Sequence, residues 1–222
     1  MKNEINSYID DVNSGRVKLT IPIFDDDDIL IGSLTPITRT DLKDNELMSL
    51  LSEWRNTHRD NFLTRFTATP ERTMDWLNNI VFPSRSQMLF FVKDVSGERV
   101  GHTGFKNLSF NKVLSDNTIR GLRTDEPKIF VFAIRQLVSW LFGLTAIDKV
   151  EGEVFADNIP ALMMNRQVGF NFVEKLILQE VREGDMTMLR PTNNRSAANT
   201  KILYRIAISR SDFKTAKKEK ND

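Results

Sequence analysis

The 222-residue sequence contains no cysteine. That excludes disulfides, a thiolate nucleophile and any Cys-ligated metal. Histidine is scarce too: His58 and His102 are the two in the chain, too few to suggest a zinc site, so no metal is expected. No apolar run approaches the roughly 18–20 residues of a membrane span. The opening MKNEINSYIDD lacks the apolar centre of a signal peptide, so the chain reads as cytoplasmic, with no membrane contact. Charge of one sign is also lacking: 31 Lys and Arg against 30 Asp and Glu leave a formal net charge of +1. A sequence-independent nucleic-acid binder needs a basic surplus, so no nucleic acid is expected as partner. What remains is 40% apolar and 27% charged, the composition of an ordinary globular protein. The length suits one sizeable domain, as a monomer or homodimer.

Residues 1–33 read as a polar, irregular extension, with the DDDD run at 25–28 a solvated acidic loop rather than a metal site. LTPIT (34–38) is a first strand, and Leu47, Leu50, Leu51 and Trp54 fall at helical spacing over 44–57. Thr69 and Pro70 cap and open a second helix, with Met74, Leu77 and Val81 on one face. MLFFVKD (88–94) and RVGHTGF (99–105) flank Ser96-Gly97 as a hairpin. A strand over 113–121, a deeply packed helix over 127–143, strands over 149–156, 170–181 and 202–209, and a helix over 158–168 complete the order. The tail KTAKKEKND has nothing apolar to bury and reads as disordered, which divides the chain at 1–33, 34–210 and 211–222. The fold class is α/β or α+β, a mixed central sheet of about six or seven strands flanked by helices.

VFADNIPALMMNRQVGF (154–170) is the most informative stretch. Asp157 or Asn158 can cap a helix, Pro160 suits its first turn, Ala161 permits close approach, and Gly169 supplies the left-handed exit. Strand, Asn, two residues, Ala, seven residues and Gly-Phe resembles the N-x-x-A-x-x-x-Y-x-x-x-G-F ending of the GNAT N-acetyltransferases. The element order over 34–209 agrees, and LSEWRNTHRDNFLTRFTATPERTMDWL, RVGHTGF and DNTIRG are similar to the subgroup acting on amino sugars. Features are shared with the ribosomal-protein-alanine acetyltransferases as well.

The resemblance implies acetyl-CoA bound where strands four and five splay apart, its pyrophosphate facing amides of the helix after strand four. It implies a small-molecule or nucleotide-sugar amine as acceptor, in surface glycan biosynthesis; a protein N-terminus is the alternative acceptor. A catalytically degenerate GNAT-like binding protein is the alternative of another class. Ile119, Arg120, Gly121, Arg123, Lys128, Asn158 and Ala161 are the candidate cofactor-binding residues. The loop RGLRTDEPKIF departs from the usual glycine-rich pattern: it has Gly121 alone, and Asp125 and Glu126 oppose an anion unless they point outward. Asn165 stands where many relatives have a Tyr that protonates the leaving thiolate, and an amide cannot supply that proton. Without cysteine the amine must attack the thioester directly. Neutralising a lysine-like amine at pH 7 costs roughly 4–5 kcal/mol, an α-amine about 1 kcal/mol, so the need for a base depends on the acceptor. Asp116 and His102 are the base candidates; Asn117 is a substrate-contacting candidate, and strand alternation lets only one of 116 and 117 face the cleft. Trp54 and Arg55 border the acceptor pocket by resemblance, an aromatic face for a sugar ring and a cation for a phosphate, while core packing beside Leu50 and Leu51 explains Trp54 equally well.

Overall fold

The computed structural model describes residues 2–144, 147–194 and 199–218. In chain order the elements are α1 (Lys2–Asn13), β1 (Ile21–Phe24), β2 (Leu30–Pro36), α2 (Asn45–Thr57), β3 (Thr64–Arg65), α3 (Pro70–Trp76), β4 (Met88–Asp94), β5 (Arg99–Lys106), β6 (Lys112–Arg120), α4 (Ile129–Leu144), β7 (Lys149–Phe155), α5 (Ile159–Val168), β8 (Asn171–Glu183), β9 (Met186–Pro191), β10 (Thr200–Ser209) and α6 (Arg210–Lys218). The strands form one sheet in the order β1-β2-β4-β5-β6-β7-β10-β8-β9-β3. Every pairing among the described residues is antiparallel except β6 with β7, the pair joined through α4. No helix among the described residues is long and apolar enough to cross a membrane.

Alternation along the strands gives the sheet two apolar faces. Adjacent Phe90 and Phe91 in β4 enter different cores, as do Val154 and Phe155 in β7. One face carries a single large cluster built on α4, with Ile9 and Val12 of α1 and Val168 of α5. The other face carries two smaller clusters. Leu47, Leu51 and Trp54 of α2 cover Phe91 and Ile119 on one half of the sheet, and Leu178, Leu189 and Leu203 surround Phe155 on the other half. The two clusters leave the middle of that face, around the β6–β7 junction, to polar side chains.

The expected fold class is present, with ten strands in place of six or seven. The extra strands are short or polar. β1 is four residues interrupted by Pro22, β3 is two residues, and β9 reads MTMLRP. Residues 2–13 and 21–24, expected to be irregular, form α1 and β1 and reach the core. Ile5, Tyr8, Ile9 and Val12 fall at helical spacing, a narrow stripe hidden by the polar residues between them. Asp25 Oδ1 accepts from the amides of Asp27 and Ile29, so the acidic run closes the β1–β2 turn. At the other end, α6 continues to Lys218 with Phe213 buried; this corrects the disordered reading of 211–218, and residues 219–222 lie outside the described residues. The chain after Trp76 continues as one π-helical turn over Leu77–Val81. Leu77 and Val81 are buried there, while Met74 stays at the surface.

Candidate active site

β6 and β7 pair for three residues, Lys112–Lys149, Val113–Val150 and Leu114–Glu151, and then separate. From Ser115 onward the β7-facing backbone of β6 has no ladder partner there, which opens a gap lined by peptide groups. A bulge marks the same point. The β5–β6 register jumps between His102–Ile119 and Gly104–Asp116, and Asn117 adopts φ +55°. Asparagine tolerates that left-handed conformation better than most residues.

The bulge overturns the expected alternation of residues 116 and 117. An extra residue breaks the period of two, and the Asn117 Nδ2 donates to Asp116 Oδ2 at 2.7 Å. The Asp116 carboxylate also lies 3.0 Å from Lys106 Nζ. His102 Nδ1 donates to the Asn117 carbonyl at 2.7 Å, which places its proton on Nδ1. Burial pushes the His102 pKa down to about 4; the bond to Asn117 opposes that shift, and the charges of Arg55 and His58 reinforce it. His102 is therefore a tie across the bulge and a poor base near neutrality, in contrast to the role expected for it.

Trp54 is 4% exposed and belongs to the α2 core cluster. A Cβ on Gly121 would stand 2.1 Å from Trp54 Cε2, so the glycine exists here to let strand and indole touch. The structure thus places Trp54 in the wall of the site rather than on an open sugar-stacking surface. Arg55 points between the bulge and the segment after α2. Its guanidinium carbon sits 3.3 Å from the Phe62 ring centroid and 5.3 Å from that of Phe66. Nη2 donates to the Thr64 carbonyl at 2.8 Å, and Nη1 is buried with no protein acceptor. A buried donor left so costs about 1–3 kcal/mol. Burial lowers the Arg55 pKa to about 10, against the pull of the Asp116 charge, so Arg55 remains a cation at neutral pH.

The segment carrying Phe62 and Thr64 is stitched to the β8–β9 hairpin. β3 pairs with β9 through Thr64–Met188 and Arg65–Thr187, and Leu189 N donates to Leu63 O at 2.8 Å. Arg65 meets Glu180 at 2.8 Å and Arg72 meets Asp185 at 2.7 Å. The segment after α2 is therefore joined to the β8–β9 hairpin on the other half of the sheet.

At the far end of β6 the loop satisfies part of its own backbone. The Gly121 and Leu122 amides both donate to Val100 O at 2.9 Å. Glu126 turns inward: its Oε1 accepts from the Lys128 amide at 2.8 Å, a carboxylate at the N-terminus of α4. The amides of Arg123, Thr124, Asp125 and Glu126 donate to no acceptor among the described residues. Arg120, Arg123 and Lys128 are exposed around them, with Arg120 Nη2 bonded to Pro127 O at 2.6 Å. The loop thus has amides without acceptors among the described residues and three exposed cations, in place of the glycine-rich pattern. His58 Nε2 meets Arg120 O at 2.9 Å and ties α2 to the loop.

Beyond β7, Asn158 caps α5 through Oδ1, which accepts from Ala161 N at 3.2 Å. Ala161 is part-buried against the large core. Asn165 Nδ2 donates to Ala161 O at 2.8 Å, four residues back in its own helix. Gly169 takes φ +110° and ends the helix as its sequence position suggested. The structure thus brings Arg55, Asp116, Asn117 and His102 together, and keeps Arg120, Arg123 and Lys128 at the loop. Lys106 and Phe62 were missed, and Glu126 was read as opposing an anion rather than as a cap. Lys106 reaches Asp116 through strand register, and Phe62 reaches Arg55 across a helix end, so neither leaves a periodic signal. A carboxylate three residues before the first helical residue was a readable capping signal for Glu126.

No protein-family model and no curated protein matches the sequence. Solved structures do match the fold. A GCN5-related N-acetyltransferase from Brucella melitensis has a TM-score of 0.65 at 16% identity, covering 90% of this chain and 84% of its own. Mycobacterium smegmatis RimJ in complex with CoA-disulfide has 0.62 at 14%, covering 87% and 88%. A spermidine N-acetyltransferase from Vibrio cholerae in complex with CoA and spermine has 0.59 at 14%, covering 81% and 96%. The chain has the GNAT acetyltransferase fold.

Proposed function

We propose, with that fold as premise, that this chain is an acetyl-CoA-dependent N-acetyltransferase acting on a primary amine of a small molecule, an amino sugar in its nucleotide-activated form. The observation that carries the reading is the three-residue contact between β6 and β7, followed at once by the Asn117 bulge and the Asp116 carboxylate. Bound acetyl-CoA supplies the activated acetyl group. This chain's own residues do the rest. Free peptide groups of β6 orient the pantetheine arm and polarise the thioester carbonyl. The amides of residues 123–126 with Arg120, Arg123 and Lys128 hold the pyrophosphate. Asp116 accepts the proton of the acceptor amine, directly or through one water.

The tie from β3 to β9 favours a small acceptor over a protein N-terminus, since strand pairing and ion pairs hold the segment after α2 against the β8–β9 hairpin. One observation favours a binding role without transfer: Glu126 already occupies an amide at the α4 N-terminus, and Val100 already takes two loop amides. The test is thiol release from acetyl-CoA with a panel of amino sugars and peptide N-termini, in the wild-type chain and in Asp116→Asn. Transfer to an amino sugar that falls about 10²-fold or more in the variant is the expected result. Transfer to peptides alone contradicts the acceptor assignment, and cofactor-free behaviour throughout contradicts the enzyme.

A further inference from the structure

The Asp116 carboxylate meets both of its protein donors at the same oxygen. Lys106 Nζ lies 3.0 Å from Oδ2, and Asn117 Nδ2 donates to Oδ2 at 2.7 Å. Oδ1 accepts no hydrogen bond among the described residues. Strand register explains the partner on β5. Gly104 stands directly opposite Asp116 and has no side chain, so Lys106, opposite Leu114, reaches the carboxylate as its diagonal neighbour. Asn117 is held for its part by the bulge, with φ +55° and its carbonyl bonded to His102. The side chains of Lys106 and Asp116 are 35% and 26% exposed, so the pair is open to an acceptor. Arg55 adds a second positive charge that acts on Asp116.

We infer that Lys106 is a positioning and specificity residue, which holds Asp116 by Oδ2 so that Oδ1 takes the acceptor's proton, and whose charge excludes acceptors that arrive as ammonium ions. This rests on the transferase reading, in which Asp116 is the base. The acceptor is then a weakly basic amine with a large uncharged fraction near neutrality. An amine flanked by electron-withdrawing oxygens, as on a sugar ring, is of that kind. A strongly basic amine stays protonated and brings a further cation to a carboxylate already shared by Lys106 and Arg55, where like charges repel. For the neutral amine, nitrogen bonds to the acetyl carbon and the carbon–sulfur bond breaks, its electron pair leaving on the CoA sulfur. The amine's proton passes to Oδ1. Oδ2 keeps both donors throughout, so the carboxylate stays in its productive orientation.

The test measures kcat/KM with acetyl-CoA for glucosamine, whose amine is weakly basic, and for 6-amino-6-deoxyglucose and spermidine, whose amines are strongly basic. The wild-type chain is compared with Lys106→Met, Lys106→Arg and Asp116→Asn. The preference for glucosamine over either basic amine is expected to fall about 10-fold in Lys106→Met, the size of one charge–charge contact. It falls through a lower KM for the basic amines and a lower kcat for glucosamine, and Lys106→Arg retains it. Should Lys106→Met not fold, Lys106→Gln carries the same expectation. A substitution that only loosened the sheet would slow all acceptors alike, so an unchanged ratio overturns the inference, as does spermidine as the best wild-type acceptor. Full transfer in Asp116→Asn removes the base and the inference with it. Transfer lost in Asp116→Asn beside an unchanged ratio in Lys106→Met removes the inference and leaves the base standing. If no chain acetylates any amine, calorimetry of the same amines decides. Spermidine bound about 10-fold more tightly by Lys106→Met than by the wild type upholds the charge filter, and equal binding overturns it.

Discussion

His102 carries the clearest pH signature of any single side chain in the site. Its pKa is lowered from the usual 6.5 to about 4, chiefly by burial and further by the Arg55 charge. Above pH 6.5 it is neutral in both folded and unfolded chains, and its contribution to stability is fully present. As the pH falls from 6.5 toward 4 the unfolded chain binds a proton that the native chain refuses, so about 3 kcal/mol is lost. Urea unfolding at pH 7 and pH 4.5 of the wild type and His102→Gln checks this. The wild type should lose about 2–3 kcal/mol more than the variant, whose amide keeps a donor for the Asn117 carbonyl; equal losses would show that His102 titrates normally. At this scale the sequence revealed caps and stops well. Asn158, Thr69 and Gly169 occupy their expected places because capping depends on neighbours a few residues away. Side chains that meet through tertiary contacts, such as Lys106 with Asp116, were not legible.

Among the elements, β6 and the loop after it govern the site. The strand was located to within a residue, 113–121 expected and 112–120 found. Its bulge was not, since DNT carries no glycine to announce a left-handed residue. Gly121 is fixed by its contact with the Trp54 indole, a rigid ring that cannot fold aside. Gly121→Ala should cost about 1–3 kcal/mol through overpacking, lowering Tm by roughly 2–4 °C per kcal/mol, with a change in tryptophan fluorescence. An unaltered Tm would mean that α2 is free to slide away from β6. Glu126 is the element-scale control on anion binding. Glu126→Gln removes a negative charge from the α4 N-terminus and should tighten CoA by about 2–5-fold, the size of one charge at a helix end, as read by calorimetry. Weaker binding would make Glu126 a support of the loop rather than a competitor for it.

Across the whole molecule, the sheet is split by its own topology. One core runs from β1 to β10 on the α4 side, while two smaller cores on the other face leave a polar strip along the β6–β7 junction. The fold was legible because its long elements have strong periodicity and clean punctuation. The first 33 residues were misjudged because their buried positions are few, though Ile9, Val12 and Ile23 are fully enclosed. The central claim is that the opening between β6 and β7, with its glycine-poor loop, binds acetyl-CoA. Thermal unfolding with acetyl-CoA at 100 times its dissociation constant, against dephospho-CoA and ATP, tests it most directly. The account predicts stabilisation by about 2.7 kcal/mol, a rise in Tm of roughly 5–10 °C for a chain of this size. No rise at millimolar acetyl-CoA would contradict it and leave a GNAT fold that has given up its cofactor.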